Sequence, residues 1–383
     1  MSIYLDYNAS APIDSRVLES MIEVYKKAIG NADSRTHNYG ENARRIVEDA
    51  REQVASLLGV SSGEVFFTSG ATESNNIAIQ GLAEYAEETG KKHIITSSIE
   101  HKAVLETVKA MGNIGFDIDV VDPDSSGRVS AEHIISLVRD DTLLVSIMHV
   151  NNETGVIQPI DEIGNVLAEK NVLFHVDATQ SCGKLVDEIK KLKYNMLSFS
   201  AHKLQGPQGI GVLVLRKSKY KFPPVRNIMF GGQQEHGIRP GTIPVALVAG
   251  CGRACEIAAQ EYVKNVEKTK RLKGVVIKEF EESGLEYHFN GDQEHCISNT
   301  VNICIPGVMS EALMISSKQY CSISNGSACT SKSYTPSYVL SAMGISEEDI
   351  ECSVRISWGP DISMDELREN IDMMLKIARQ IKG

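Results

Sequence analysis

No run of residues in this sequence is apolar for long enough to cross a membrane, and the N-terminal MSIYLDYNASAP has neither a basic segment nor an apolar signal core. No membrane association is expected, and the expected compartment is the cytoplasm. Low-complexity stretches are missing too, which argues against a disordered arm. Positive charge is in deficit: 39 Lys and Arg face 50 Asp and Glu, a net charge of −11. Such a chain repels phosphate backbones at long range, so no direct, high-affinity nucleic-acid binding is expected. The small clusters Lys190, Lys191, Lys193 and Lys217, Lys219, Lys221 read as solvated surface. Cysteines 182, 251, 255, 296, 304, 321, 329 and 352 lack the regular spacing of a disulfide framework and read as reduced thiols. Cys251 and Cys255 could share a helix face, but no further His or Cys pair nearby completes a zinc set. They read as core, and no metal is expected.

What is present fits an ordinary folded protein, with 42% hydrophobic and 23% charged residues. A chain of 383 residues exceeds what one core usually serves, so two domains are expected. Residues 43–58 repeat apolar side chains at helical spacing (Ala43, Ile46, Val47, Ala50, Val54, Leu57), with Gly59 to end the helix. Beyond it, seven short apolar runs alternate with helical stretches: 64–69, 93–98, 117–121, 143–148, 172–177, 196–200 and 211–215. This alternation predicts an α/β protein with a mostly parallel, seven-stranded sheet covered on both faces. Near residue 255 a long polar-apolar helix begins and leads into shorter strands such as 300–305, which predicts a second, smaller α+β domain. That domain closes with Ser363 and Glu366 at capping-box spacing, ahead of an amphipathic helix carrying Met364, Leu367, Ile371, Met374, Leu375 and Ile381. The expected division is 16–255 for the large domain, and 1–15 with 256–383 for the small one. No Pro/Gly-rich linker marks the boundary.

Three strand ends carry residues suited to chemistry. In TSGATESNN (68–76) a strand gives way through Gly70 and Ala71 to a helix beginning around Thr72. Small residues and a helix N-terminus suit a phosphate cup; a plain N-cap at Thr72 would account for the same residues. VLFHVDATQ places Asp177 at the carboxyl edge of the sheet, where a buried acid needs a cation such as a pyridinium nitrogen, or else caps the residues that follow. SFSAHKLQGPQGIG then presents Ser198, Ser200, His202 and Lys203 before a Gly/Pro-rich turn. Most lysines are solvated surface charges, but a lysine in a cleft can have a lowered pKa and form a Schiff base. An acid, a lysine and a phosphate cup on strand ends are the three anchors that pyridoxal 5′-phosphate requires. Elsewhere, Cys329 stands among Ser324, Asn325, Gly326, Ser327, Ala328, Thr330 and Ser331, a small, polar setting typical of a loop. Cys321, between Tyr320 and Ser322 and near Ile323, reads instead as strand interior.

The segments YLDYNASAP, FFTSGATESNN, SSIEHKAV, HVNNETGVIQP, HVDATQSCGK, SFSAHKLQGPQGIG, GGQQEHGIRPGT and SNGSACTS occur in this order along nearly the whole chain. In this the sequence resembles the NifS/IscS-like cysteine desulfurases of the aminotransferase class V superfamily. The resemblance implies the fold type I architecture of the pyridoxal-phosphate-dependent transferases and a homodimer. It makes Lys203 the Schiff-base lysine, Asp177 the partner of the pyridine nitrogen, and His101 the residue that stacks on the ring and takes part in proton transfer. Ala71, Thr72, Ser200 and His202 would hold the phosphate, joined by Thr242 from the neighbouring subunit, while Gln180 would reach the ring hydroxyl. Asn152 and Arg355 would bind the carboxylate of L-cysteine, a task suited to the planar guanidinium fork. Lys203 would take the Cα proton and Cys329, on a mobile loop, would attack the substrate sulfur. A persulfide on Cys329 for an acceptor protein, and L-alanine, would result.

Three positions depart from the housekeeping pattern: Ala201 stands in place of a glycine, Gln208 sits within P-Q-G where P-K-G is usual, and Pro360 follows Gly359 where arginine is common. The chain also ends at Gly383 without the longer tail that housekeeping desulfurases use to dock the iron–sulfur scaffold. A specialised sulfur donor is therefore the expectation, with DNA phosphorothioate modification one candidate pathway and iron–sulfur assembly or tRNA thiolation the alternatives. Selenocysteine lyase and aminotransferase are rival reactions within the superfamily; the S-N-G-S-A-C loop argues against the latter, which has no use for a thiol there. A non-catalytic sulfur-relay scaffold is the rival of another class, and it would not need Lys203, Asp177, His101 and Cys329 together.

Overall fold

A computed structural model describes residues 2–325 and 336–382 of the chain. Its centre is a seven-stranded sheet in the order Val65–Thr68, Gly211–Leu215, Met196–Ser200, Leu173–Asp177, Thr142–Met148, His93–Ser97 and Asp117–Val121. Gly211–Leu215 runs antiparallel to both of its neighbours, and the remaining adjacent pairs are parallel. Successive side chains of a strand point to opposite faces, and here both faces are dry. Val65, Phe67, Leu197, Phe199, Val212 and Val214 feed one core, together with Ala43, Val47, Ala50 and Val54 of the helix Asn38–Leu58. Phe66, Met196, Leu213 and Leu215 feed another on the opposite face, with Ile77, Val104 and Val108 from the covering helices. Burial on both faces explains why these strands read as unbroken apolar runs.

A separate core lies around the three-stranded antiparallel sheet Ser353–Ser357, Thr300–Cys304 and His288–Phe289. The chain's beginning belongs to it. Ile3–Tyr4 pairs in parallel with Cys321–Ser322, and Ile3, Leu5 and Tyr7 pack with Val301, Ile356 and Trp358. Cys321 is buried in that strand, in line with its apolar surroundings. The helix Met364–Lys382 covers this core with Leu367, Ile371, Met374 and Leu375. No helix among the described residues is long and apolar enough to cross a membrane.

The helix expected from residue 255 is continuous from Val245 to Glu282 and serves both cores, with Val248, Cys251 and Cys255 in the first and Leu272, Val276 and Phe280 in the second. Its first turns lack a polar stripe because they are enclosed. A Cβ on Gly252 would stand 2.6 Å from the Cα of Ala50, and one on Gly250 would stand 2.7 Å from the sulfur of Met21, so glycine lets three helices approach closely. Val339, Leu340, Met343 and Ile350, late in the chain, pack into the first core.

Candidate active site

The carboxyl ends of the central strands face the N-terminal segment and the strand Ser353–Ser357 across a crevice of about 290 Å³. Asn8, Ala9, Ala71, Thr72, His101, Asn152, Asp177, Thr179, Gln180, Ser200, His202, Lys203 and Arg355 are among its lining residues. The crevice thus gathers ten of the twelve site residues expected from the sequence. Of the other two, Thr242 lies on an exposed stretch before the long helix, away from the crevice lining, and Cys329 falls outside the described residues.

Asp177 is buried at the last position of its strand. Its Oδ2 accepts a hydrogen bond from Asn75 Nδ2 at 2.8 Å and its Oδ1 accepts one from the Thr179 N–H at 2.9 Å, so it does tie down the residues after it as well as face the crevice. Asn75 itself comes from the helix Ala71–Gln80. That helix begins two residues earlier than an N-cap at Thr72 would allow: Gly70 occupies the cap and makes no side-chain bond. Gly70 must lie close to the sheet, for a Cβ on Gly211 would stand 2.5 Å from its Cα. The first helical N–H, of Ala71, donates to Ser200 Oγ at 2.7 Å, which brings two of the phosphate-cup residues together from separate elements.

Lys203 ends a short turn, Ala201–Lys203, directly after its strand. Its Nζ donates to the carbonyls of Asn8 and Ala9, each at 2.6 Å. His202, beside it, is paired with Ser10 Oγ at 3.2 Å; burial, reinforced by Lys203, pushes its pKa down to about 4. His101 is half-buried at the N-cap of the helix Lys102–Asn113, where Nδ1 accepts the Ala103 N–H at 3.1 Å. Burial holds its pKa below the usual imidazole range, partly opposed by Asp177. The ring is therefore neutral near pH 7, and because Nδ1 is an acceptor its proton sits on Nε2.

The facing wall is ionic. Arg355, 3% exposed, donates through NH2 to Asp6 Oδ1 at 2.6 Å and through NH1 to the Asn152 carbonyl at 3.0 Å. Asn8 reaches across it, donating to the Asn152 carbonyl at 3.2 Å. Within this enclosed space Arg355 Nε, Asn152 Oδ1 and Thr179 Oγ1 are buried without a partner among the described residues. Unsatisfied buried polar atoms cost stability, and a polar ligand in the crevice would relieve that cost.

Sequence reasoning passed over several participants. Asn75, Asn8 and Asp6 sit inside the quoted blocks, yet their roles depend on contacts between distant segments. Glu100, adjacent to His101, is buried: Oε1 accepts from Ser97 Oγ at 2.6 Å and from the Met148 N–H at 2.8 Å, while Oε2 has no partner among the described residues. Burial, with Asp177 adding to it, pushes its pKa up to about 8. Lys184 donates to the carbonyl and Oε1 of Gln180 at 2.9 and 3.3 Å, and Gln180 in turn donates to the Asn8 carbonyl at 3.0 Å. Enclosure first and Lys203 second push the Lys184 pKa down to about 7. A second cavity of about 310 Å³ adjoins Lys184 and Lys203 from the direction of Thr269 and Trp358, but it collects none of the other residues singled out for chemistry.

An acid and a lysine on successive strand ends, beside a helix N-terminus, form a cage suited to pyridoxal phosphate. The aminotransferase class-V family model matches residues 3–369. The chain belongs to that family. It is 42% identical to the cysteine desulfurase IscS of Escherichia coli, over the whole of this chain and 94% of the relative. A solved "NifS-like protein" superposes with a TM-score of 0.90 at 37% identity, covering 99% of this chain and all of the other. A structure of SspA in complex with cysteine superposes with a TM-score of 0.81 at 38% identity, covering 93% of this chain and 99% of that one. The protein is thus a pyridoxal-phosphate-dependent enzyme, a cysteine desulfurase that acts on cysteine and transfers its sulfur. The rival of a non-catalytic relay scaffold fits these findings no better.

Proposed function

We propose that the crevice converts L-cysteine to L-alanine with Lys203, Asp177 and His101 in the roles their positions suggest, and that the sulfur is left as a persulfide on Cys329, whose role rests on the family resemblance. The observation that carries this reading is the meeting of Asp177, Lys203, His101 and Arg355 at one crevice, from the sheet ends and from the facing strand. Lys203 would hold the cofactor covalently, with Asp177 as the partner of the pyridine nitrogen and Gln180 of the ring hydroxyl. Ala71, Thr72, Ser200 and His202 would hold the phosphate, joined by Thr242 from the second subunit of a homodimer. Bound pyridoxal phosphate supplies an electron sink for charge developing at the substrate Cα.

Arg355 and Asn152 orient the substrate carboxylate, and the partnerless Arg355 Nε is a donor free to do so. Lys203 Nζ takes the Cα proton and later returns one. His101, neutral with its proton on Nε2, would hand over a proton from that atom. The Cys329 thiolate then attacks the substrate sulfur. An S–S bond forms, the C–S bond breaks with its electron pair passing to the carbon side, and protonation there completes alanine. Support for delivery from this segment comes from its two described ends. Ser324 is paired through its backbone with Arg355, and the Tyr338 hydroxyl donates to the Glu100 carbonyl at 2.7 Å, beside His101.

The acidic balance of the chain supports a protein as the direct sulfur acceptor, in a dedicated pathway such as DNA phosphorothioate modification. The deciding experiment measures sulfide and persulfide from cysteine. Cys329→Ser is expected to abolish both while retaining cofactor absorbance, and Lys203→Ala to lose that absorbance; sulfide release that survives Cys329→Ser overturns the persulfide step. Recovery of the iron–sulfur scaffold as the dominant partner in a pull-down would count against a dedicated pathway.

A further inference from the structure

Apart from the crevice, the described residues bring one set of metal-type ligands together, and it lies on the second core. His288 belongs to the two-residue edge strand, and Cys304 is its direct partner on the neighbouring central strand. Asp349 comes from the short helix Glu347–Glu351, which leads into the other flanking strand, where Ser353 is the partner of Cys304. One ligand atom from each of the three lies within 4.8 Å of the others. The Cys304 thiol is 3.6 Å from Asp349 Oδ1. Asp349 is oriented by its surroundings: the Ser346 hydroxyl donates to its other oxygen, Oδ2, at 2.9 Å, leaving Oδ1 toward the thiol.

Without a cation the Cys304 thiol keeps its proton and donates it to Asp349 Oδ1. A divalent cation would take the place of that proton, with one thiolate and one carboxylate to neutralise it. Sulfur, imidazole and carboxylate together suit a borderline-soft ion, not magnesium or calcium. Bond lengths of about 2.0–2.3 Å around a tetrahedral zinc imply ligand atoms roughly 3.3–3.8 Å apart, so a movement of about 1 Å closes the set. The exposed His288, on an edge strand of two residues, is the ligand free to make it.

We propose that His288, Cys304 and Asp349 bind one zinc-class divalent cation, with water in the fourth position, as a clamp between the edge strand and the Glu347–Glu351 helix. The clamp holds the end of the sheet whose central register also pairs Asn302 with Arg355. Ligation exchanges the thiol proton for the metal and involves no redox step.

The test is a titration of cobalt(II) alone into metal-stripped holoenzyme carrying Cys329→Ser, so that the loop thiol cannot contribute. One equivalent is expected, with a tetrahedral spectrum and a thiolate charge-transfer band that Cys304→Ser removes. His288→Ala changes only an exposed side chain and leaves the buried thiol intact. It should weaken binding by more than the roughly 100-fold that loss of an outer-shell partner costs at most. Zinc should raise the Tm of the parent and not of the His288→Ala protein. Absence of the thiolate band, its survival in Cys304→Ser, or an affinity loss below about 100-fold in His288→Ala overturns the proposal. If Cys304→Ser does not fold, the band in the parent and the His288→Ala affinity decide the matter.

Discussion

The two walls of the crevice are made in opposite ways. On the sheet side, Asp177, Ser200 and Lys203 lie at or within a few residues of a strand end, and each is positioned by buried β-structure whose backbone bonds are already satisfied. On the facing side, Arg355 is held by Asp6, 349 positions away in the chain, and by a carbonyl from a third segment. The backbone of the first wall is built from neighbouring strands of one sheet. The second exists only once the chain's beginning and end have met. A change in the sheet wall should therefore cost activity more than stability, and a change in Asp6, which supports the facing wall, should do the reverse.

The largest expected effect tests the sheet wall. Asp177→Asn should lower turnover by roughly 10²–10⁴-fold, the range associated with loss of a positioned proton-holding group, while the urea midpoint moves little. A large fall in the midpoint would erase the contrast between the walls. Next, Asp6→Ala leaves the Arg355 guanidinium buried without its carboxylate, and unfolding free energy should drop by about 3–5 kcal/mol in urea titrations. A Cys329-independent probe such as tryptophan emission serves, since Trp358 lies in that core.

A smaller effect is expected from Asn75→Ala, which removes a hydrogen bond to the charged Asp177. A loss of about 1.5–3 kcal/mol is read as weaker cofactor retention in dialysis, with the fold unchanged. The smallest effect per pH unit concerns Glu100, whose carboxyl keeps its proton in the folded state up to about pH 8 and loses it near 4.5 when unfolded. Protons are then bound more tightly in the native state, so its contribution to stability is greatest below pH 4.5 and falls as pH rises toward 8. Glu100→Gln should flatten that fall, by at most about 1.36 kcal/mol per pH unit. An unchanged slope in pH-dependent unfolding would show that this carboxyl is ionised.

How much of this was legible beforehand follows the same division. Met196–Ser200 and Gly211–Leu215 occupy the spans read from their apolar runs, because burial on both faces leaves no other pattern. The helix read as 43–58 starts at Asn38, where the His37 side chain accepts the Gly40 N–H; its first turn is polar and carries no periodicity to find. The helix read from 255 is continuous with the apolar helical stretch that carries Cys251 and Cys255 and begins at Val245; enclosure by two other helices removes the polar stripe from its first turns, so the two read as different patterns. In the crevice, Asp177 and Lys203 could be argued from strand ends. Arg355 and Asn152 were reached through family resemblance alone, and Glu100 and Lys184 not at all, because their altered proton affinities arise from enclosure.

The sequence by itself determined the alternation of strand and helix, the acid and lysine at successive strand ends, and the ordered blocks that place the chain in its family. These are properties of neighbours along the chain, where side-chain period and backbone propensity act directly. The tertiary structure decided which distant groups share a dielectric and a hydrogen bond. It joined Asp6 to Arg355, enclosed Glu100 and Lys184, and set Cys304 against Asp349 and His288, since desolvation and charge pairing depend on distance in space, not in sequence.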